Sequence, residues 1–556
     1  MKKILSAFLA AVMLFCAAAC SENGGPADTT GTPSVTTAEL TEEMTQTEEL
    51  TEAEETAEET TASPFSEPSE EVLSAPAATE FTVSRVFSDN MVIQRNEVIR
   101  VWGFAPAEQN GRRVNAEFAG LTGAALIEDG EFMITLNGSL PECTEPRQFK
   151  VEGDGVEYVF NDVLVGDVFW VVGQSNIHYE LITSMNEPLT NPKGRFVKIS
   201  DDDLIRLHRS TTTDPSGLTA GTADVNKDTP IKRGWEKPKA GAGMFSALGY
   251  FAARMLYDKL EKKIPIGMIE FGAAGAALNA FCPNEVCDEL KIDKWRANLG
   301  YYMAPSVNNH PTRFVYNHYM YSFRKYPICG LIWYQGESDC NSPNDKKYPE
   351  RFAALIKNYR DTHDLINHDY PVYVVEFPAI WYPFPFASVR TYMGTLPNYV
   401  ENLHISQSSD LWKDSKYENN LHPYVKWEQA ERLTSIILAD KYGVGDPYSE
   451  GPSAVSAEFS EDGMTVTLKF RNAGEGLRFE GGEPKGFKVV YKSTQVDPES
   501  VEITGPDTVV VKGSQKIKSV RYNCDLPDTF PETLTLCNSD GVPCAAFILN
   551  AAFTLK

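Results

Sequence analysis

Three short stretches carry the residue types that acyl transfer by a hydroxyl group needs. The first is Gly173-Gln174-Ser175-Asn176, which follows directly on the apolar run 168–172. A serine at the end of a buried strand, after a glycine that permits a sharp turn, is where an α/β enzyme presents a nucleophile. Its hydroxyl is unreactive until a base takes the proton. Four such residues taken alone also suit a polar loop cap. The second stretch is Trp333-Tyr334-Gln335-Gly336-Glu337-Ser338-Asp339, again at the end of an apolar run. Polar groups clustered at a strand's carboxyl end point to a site, since in a core each would need a partner. The third is His422-Pro423, after Asn419-Asn420-Leu421; an imidazole with a reference pKa of ~6.5 accepts and returns a proton near neutrality. His178, three residues after Ser175, reads as a surface position on a following helix. There is no C-x-x-C pair, HExxH motif or EF-hand loop, so neither a metal nor a cofactor is expected.

The elements that must position these residues fall into three blocks. Residues 80–162 read as an N-terminal β domain, with short strands at 91–94, 98–103, 132–136 and 156–160 separated by Gly, Asn, Asp and Pro. From 163 to 445 strands and helices alternate. Runs at 168–172, 264–271, 330–334 and 372–377 are apolar enough for a parallel sheet buried on both faces. Between them Leu248, Phe251, Ala252 and Met255 follow helical spacing, and 427–442 closes the unit as an amphipathic helix. The fold class is therefore α/β: a three-layer α/β/α sandwich whose ligands sit at the strands' carboxyl ends. Residues 446–556 return to β, with 464–470 alternating as a half-buried strand, so β-sandwich-like domains flank the catalytic one on both sides.

The 556 residues carry 77 acidic and 51 basic side chains, a formal charge of −26. That balance argues against nucleic acid as a partner, because phosphate recognition needs clustered Lys and Arg. The charge is also unevenly placed. Residues 21–80 hold 16 carboxylates and no Lys or Arg, which leaves 61 acidic against 49 basic residues, a net −12, beyond position 80. The segment 21–79, rich in Thr and Glu, has too few large apolar side chains to offset the entropy of ordering and reads as a disordered tether. Residues 1–20 open with Lys2 and Lys3, continue through a run too short to span a bilayer comfortably, and end in Ala17-Ala18-Ala19-Cys20. This resembles a bacterial lipobox, which implies lipidation of Cys20 and a membrane-anchored protein on the extracellular face; an ordinary secretory signal is the alternative. Of the eight remaining cysteines, Cys282 with Cys287 and Cys329 with Cys340 are either disulfides or free buried thiols.

Taken together and in this order, the motifs resemble the SGNH hydrolase superfamily and, within it, the sialate O-acetylesterase family of carbohydrate esterases. The resemblance runs from about Ser88 to the C-terminus and includes Asp89-Asn90-Met91-Val92-Ile93-Gln94-Arg95, Val101-Trp102-Gly103, Gly166-Asp167-Val168, Phe245-Ser246-Ala247-Leu248-Gly249-Tyr250-Phe251 and Pro265-Ile266-Gly267-Met268-Ile269. It implies an SGNH catalytic domain in which Ser175 is the nucleophile and His422 the base. The Ser175 and Gly275 N–H groups and the Gln335 amide would form the oxyanion hole, with Asn317 and Asn176 lining the site and an acetylated glycan as substrate. Two positions depart from the family's pattern. Ala273-Ala274-Gly275 replaces Trp-Gly-Gly, and Asn420 stands where relatives carry the Asp of Asp-Ile-His-Pro. An amide orients an imidazole but cannot stabilise imidazolium by charge; in the serine-protease template the same exchange costs ~10⁴ in turnover. Three readings follow: Glu337 supplies the carboxylate, a Ser-His dyad works without one, or the unit has lost turnover and binds glycan only. Glu418 reads as a solvated charge.

Overall fold

In the computed structural model the described residues are 65–182, 199–201, 203–210, 233–292, 312–340, 345–377, 381–382, 384–385, 387–411, 422, 425–524 and 534–550. Cys20, the signal segment, most of the tether, Glu418, Asn419 and Asn420 lie outside them.

The spine of the fold is one strand, Glu157–Gly173, whose residues from Val163 onward are all buried. We number the six parallel strands built around it β1 (Glu157–Gly173), β2 (Ile205–Arg209), β3 (Ile266–Gly272), β4 (Gly330–Tyr334), β5 (Val372–Val375) and β6 (Leu403–Ser406). Their order across the sheet is β2-β3-β1-β4-β5-β6, every neighbouring pair parallel. From β1 the chain turns toward the β2–β3 side, and from β4 it turns toward β5 and β6. The carboxyl ends of β1 and β4 therefore flank the point where the winding reverses, which is where open α/β sheets bind ligands. Three helices accompany these strands. In α1 (Ala247–Lys259), Ser246 caps the first turn by accepting from the Gly249 N–H at 3.1 Å. The second, α2 (Tyr348–His363), has Pro349 in its first turn. In α3 (Lys426–Tyr442), the helix stops at Gly443 in the left-handed region. Phe251 of α1 meets Trp427 of α3 with ring centres 5.1 Å apart.

The N-terminal β region is continuous with this sheet. The first half of β1 pairs antiparallel with Cys143–Glu152 and parallel with Val92–Gln94, so the boundary expected at 162 falls inside a strand, in one ten-stranded sheet. The reason is that 157–162 are exposed or half-buried while 163–173 are all buried, and the change of pattern reads as a change of domain. Gln94 and Arg95 lock the junction: Gln94 Oε1 accepts from the Val168 N–H at 2.7 Å, and Arg95 Nε donates to Asp167 at 3.0 Å. Phe87, Trp102, Trp235 and Tyr326 belong to the same core as β1.

The tether also ends earlier than composition suggests. Glu70–Ser74 is a short helix capped by Ser69, and the fully buried Ala78 pairs backbone to backbone with Arg113. A single small apolar residue that completes a sheet edge is invisible against a Thr- and Glu-rich background.

The C-terminal region has a core of its own, built on Val466, Leu468, Phe487, Val489, Val509, Val511, Tyr522 and Phe547. Two four-stranded antiparallel sheets supply it. One contains Ser453–Phe459, Thr465–Arg471, Thr508–Lys512 and Ser500–Gly505, and the other Thr494–Val496, Phe487–Tyr491, Ser519–Tyr522 and Phe547–Asn550. Among the eight described cysteines beyond Cys20 there is no disulfide.

Candidate active site

Strand β1 hands the chain to the Ser175 turn through Gly173. A Cβ there would lie 2.1 Å from the Tyr334 carbonyl oxygen, so only glycine lets β1 and β4 approach so closely at their carboxyl ends. Gln174 then reaches across: its Oε1 accepts from the Ser338 N–H at 3.1 Å and the Gly336 N–H at 3.4 Å. Asn176 reaches the same loop from the other side, donating through Nδ2 to Glu337 Oε1 at 2.6 Å. Half-buried Ser175 thus sits between two side chains that are each tied to the loop after β4.

The loop after β3 joins them. Ala273 donates its N–H to the Gly173 carbonyl at 3.1 Å, and Ala276 closes a turn back onto Ala273 at 3.2 Å. Gly275 occupies the third position of that turn at φ 75°, a conformation that favours glycine. Gln335, fully buried, faces this turn, with Nε2 lying 2.7 Å from Asp339 Oδ2, 3.1 Å from the Ala276 carbonyl and 3.3 Å from Gln174 Oε1. Its Oε1 accepts from the Tyr348 hydroxyl. An amide has two hydrogens, so three internal acceptors already compete for them, and Gln335 braces the turn where the family resemblance implies a donor to substrate. Asp339, pushed above the usual carboxylate range by burial, also accepts from the Leu278 N–H at 2.9 Å and so ties the β3 and β4 loops together.

His422 lies over the Tyr179 ring, centre to centre 6.4 Å. Burial, and next the Lys426 ammonium, push its pKa down to about 4, so the imidazole is a neutral proton acceptor at pH 7. Glu337 is pushed up to about 7 by burial, against the Asn176 hydrogen bond. Its second oxygen, Oε2, has no hydrogen-bond partner among the described residues. The remaining expected residue, Asn317, is buried in a π-helical turn, Tyr316–Met320, a distortion frequent at functional sites. That turn is held to the sheet by Ser210, which follows β2 and donates to the Tyr319 carbonyl at 2.9 Å.

Two groups beside the site were not expected from sequence. His178 lies in a bend, not on a surface helix, with Nδ1 2.9 Å from buried Glu270 and Nε2 2.8 Å from Arg209 at the end of β2. Lys426, the first residue of α3, is fully buried and donates to Asn176 Oδ1 at 2.7 Å. Burial lowers its pKa to about 7, with Glu337 opposing. The one sequence signal for Lys426 is its place four residues after His422.

Residues 165–426 match the family described as carbohydrate esterase, sialic acid-specific acetylesterase. The sialate O-acetylesterases of Homo sapiens and Pongo abelii are each 24% identical over 318 residues, which covers 52% of this chain and 56% of theirs. The chain thus spans little more than half the length of the curated relatives it matches. A crystal structure of a carbohydrate acetylesterase from Xanthomonas citri, 22% identical, superposes with a TM-score of 0.65 over 85% of this chain and all of the other, so the two share a fold. With the Ser175, Gly275 and Glu337 loops braced together at the switch point of its sheet, the chain is similar, through residues 165–426, to the sialic acid-specific acetylesterases among carbohydrate esterases.

Proposed function

We propose that this chain is a serine carbohydrate O-acetylesterase with the three-layer α/β/α arrangement of SGNH hydrolases. The observation that carries the reading is the double tether of the Ser175 turn, Gln174 to Gly336 and Ser338 and Asn176 to Glu337. It fixes a hydroxyl at the switch point of a sheet whose family removes acetyl groups. Ser175 Oγ attacks the acetyl carbonyl while neutral His422 takes its proton, and the tetrahedral oxyanion is held by the Ser175 and Gly275 N–H groups. Gln335 keeps the Gly275 turn in place. His422 returns the proton to the departing sugar oxygen, and water then repeats the sequence on the acetyl-enzyme and releases acetate. With Oε1 bound to Asn176, Glu337 steadies the imidazole through Oε2. Asn317 lines the pocket. Substrates are O-acetylated sialic acids or acetylated polysaccharides such as xylan, met by a protein held outside a bacterial cell by a lipid on Cys20.

Acetate release from O-acetylated sialoglycans and from acetylated xylan, measured side by side, tests this reading and names the substrate. Ser175→Ala should abolish release from both, and Glu337→Gln should cost far more turnover than Glu418→Gln. Equal background rates for wild type and Ser175→Ala would leave a glycan-binding protein without esterase activity.

A further inference from the structure

A lysine with no exposed surface needs a reason, because burial of an ammonium group is costly unless it is paired. Lys426 is such a residue, and it opens a helix, the end at which the helix dipole disfavours a cation. Packing alone would be served by methionine at no electrostatic cost. What surrounds Nζ is specific. It donates to Asn176 Oδ1 at 2.7 Å and stands 5.1 Å and 5.6 Å from the ring centres of Tyr334 and Tyr179, distances at which a ring face attracts a cation. On the far side of the same amide, Nδ2 donates to Glu337 Oε1 at 2.6 Å. Cation, amide and carboxylate are thus in line, with the negative end of the amide dipole on the ammonium and the positive end on the carboxylate. Rotating the Asn176 amide by half a turn would reverse both contacts at once. Asn176 directly follows Ser175 in the turn.

We propose that Lys426 is a positioning residue for acyl transfer: acting through the Asn176 amide, with Glu337 as the opposing anchor, it fixes the backbone turn that presents Ser175. The proposal rests on the esterase reading above. Lys426 does not touch the ester and takes no proton from it. Its work is to remove the freedom of the Asn176 side chain, and with it the freedom of the Ser175 N–H and Oγ, which must be placed together for attack and oxyanion binding. A misplacement on the order of 1 Å at such a centre costs about 10²-fold in rate.

The test compares wild type, K426M, N176A and the double variant in the full chain. It measures kcat and KM for acetate release, the second-order rate of Ser175 labelling by a fluorophosphonate, and the thermal midpoint. K426M should fold, keep KM within about threefold, and lose about 10²-fold in kcat and in labelling rate together. N176A should lose as much, and the double variant no more than either single change, because both remove one lock. A folded K426M with kcat within about threefold of wild type overturns the proposal, as do additive losses in the double variant. If K426M does not reach the folded state, N176A decides alone: retained kcat and labelling overturn the proposal, and their joint loss at unchanged KM supports it. Wild type that neither releases acetate nor labels at Ser175 removes the esterase reading itself. Active wild type beside an unimpaired K426M removes only the role of Lys426.

Discussion

The two β regions bear on the site by different physical routes. The N-terminal region reaches Ser175 along a covalent strand: β1 begins among its antiparallel partners and ends at the nucleophile turn, inside one hydrophobic core. The C-terminal region reaches the Glu337 loop from outside, with a core of its own and a junction that combines polar contacts with the packing of Ala545 into the main core. Arg390 donates to the Asn523 side chain and carbonyl at 2.9 and 2.6 Å, and Glu376 accepts from the Ala546 N–H at 3.2 Å. On the same helix as Arg390, Val389 and Met393 pack beside Gly336. A shared core makes stability and site geometry one property, whereas a separate core lets them vary separately.

The largest effect should come from proline placed in each region's central strand. Val165→Pro places a residue without an N–H in the buried part of β1, where a central strand does not accept it. Because the core is shared, it should abolish the helical circular-dichroism signal and acetate release together. Val509→Pro, in the middle of Thr508–Lys512, should melt the C-terminal unit in a separate calorimetric transition while the signal of α1, α2 and α3 persists. A single common transition for both variants would break the comparison. Next in size is Arg390→Met, which removes both hydrogen bonds to Asn523. Leaving a buried hydrogen-bonding group without its partner costs ~1–3 kcal/mol. Denaturant midpoints should fall, and kcat/KM with them, because the Gly336 loop rests on the same helix.

The smallest effect concerns His404, held between Asp440 at 3.3 Å and Glu450 at 2.9 Å. Burial would lower its pKa, but the hydrogen bonds to Asp440 and Glu450 outweigh burial and raise it to about 9. A raised histidine contributes stability that is full below its unfolded value of ~6.5 and is lost as pH rises through about 9. Because the ring keeps 21% of its side-chain surface in water, the screened contribution is about 1–2 kcal/mol. The difference in unfolding free energy between wild type and His404→Gln should be largest at pH 6 and shrink as pH rises to 10. Parallel curves would show that this junction does not depend on the imidazolium.

What the sequence makes legible follows from how completely a pattern expresses burial. Residues 330–334 read as a buried strand because every side chain is apolar, and they form β4 with those bounds. Strand β2 escapes notice because Arg206 and His208 alternate with Ile205 and Leu207 as though facing solvent. All four are in fact buried, His208 against Phe323 at 4.8 Å, with its pKa pushed down to about 3 by burial. Ser175, Gln335 and Glu337 announce themselves as polar groups at apolar strand ends, whereas Gly275 is reached only through the family resemblance. Lys426 does not, since a lysine at a helix start has every local reason to be exposed. Its environment comes from residues some 90 and 250 positions earlier, Glu337 and Asn176, which only the fold brings to it.

The length of β1 also sets an order of events during synthesis. Its first half finds Val92–Gln94 and Cys143–Glu152 already made, but its apolar second half waits for Ile266–Gly272 and Gly330–Tyr334 far downstream. Until then the emerging chain carries a sticky, unpaired edge that invites pairing with other chains. Completion of β4 therefore covers the apolar half of β1 early, whereas the lock on the Ser175 turn waits for Lys426 at the start of α3, so that protection from aggregation precedes competence for chemistry.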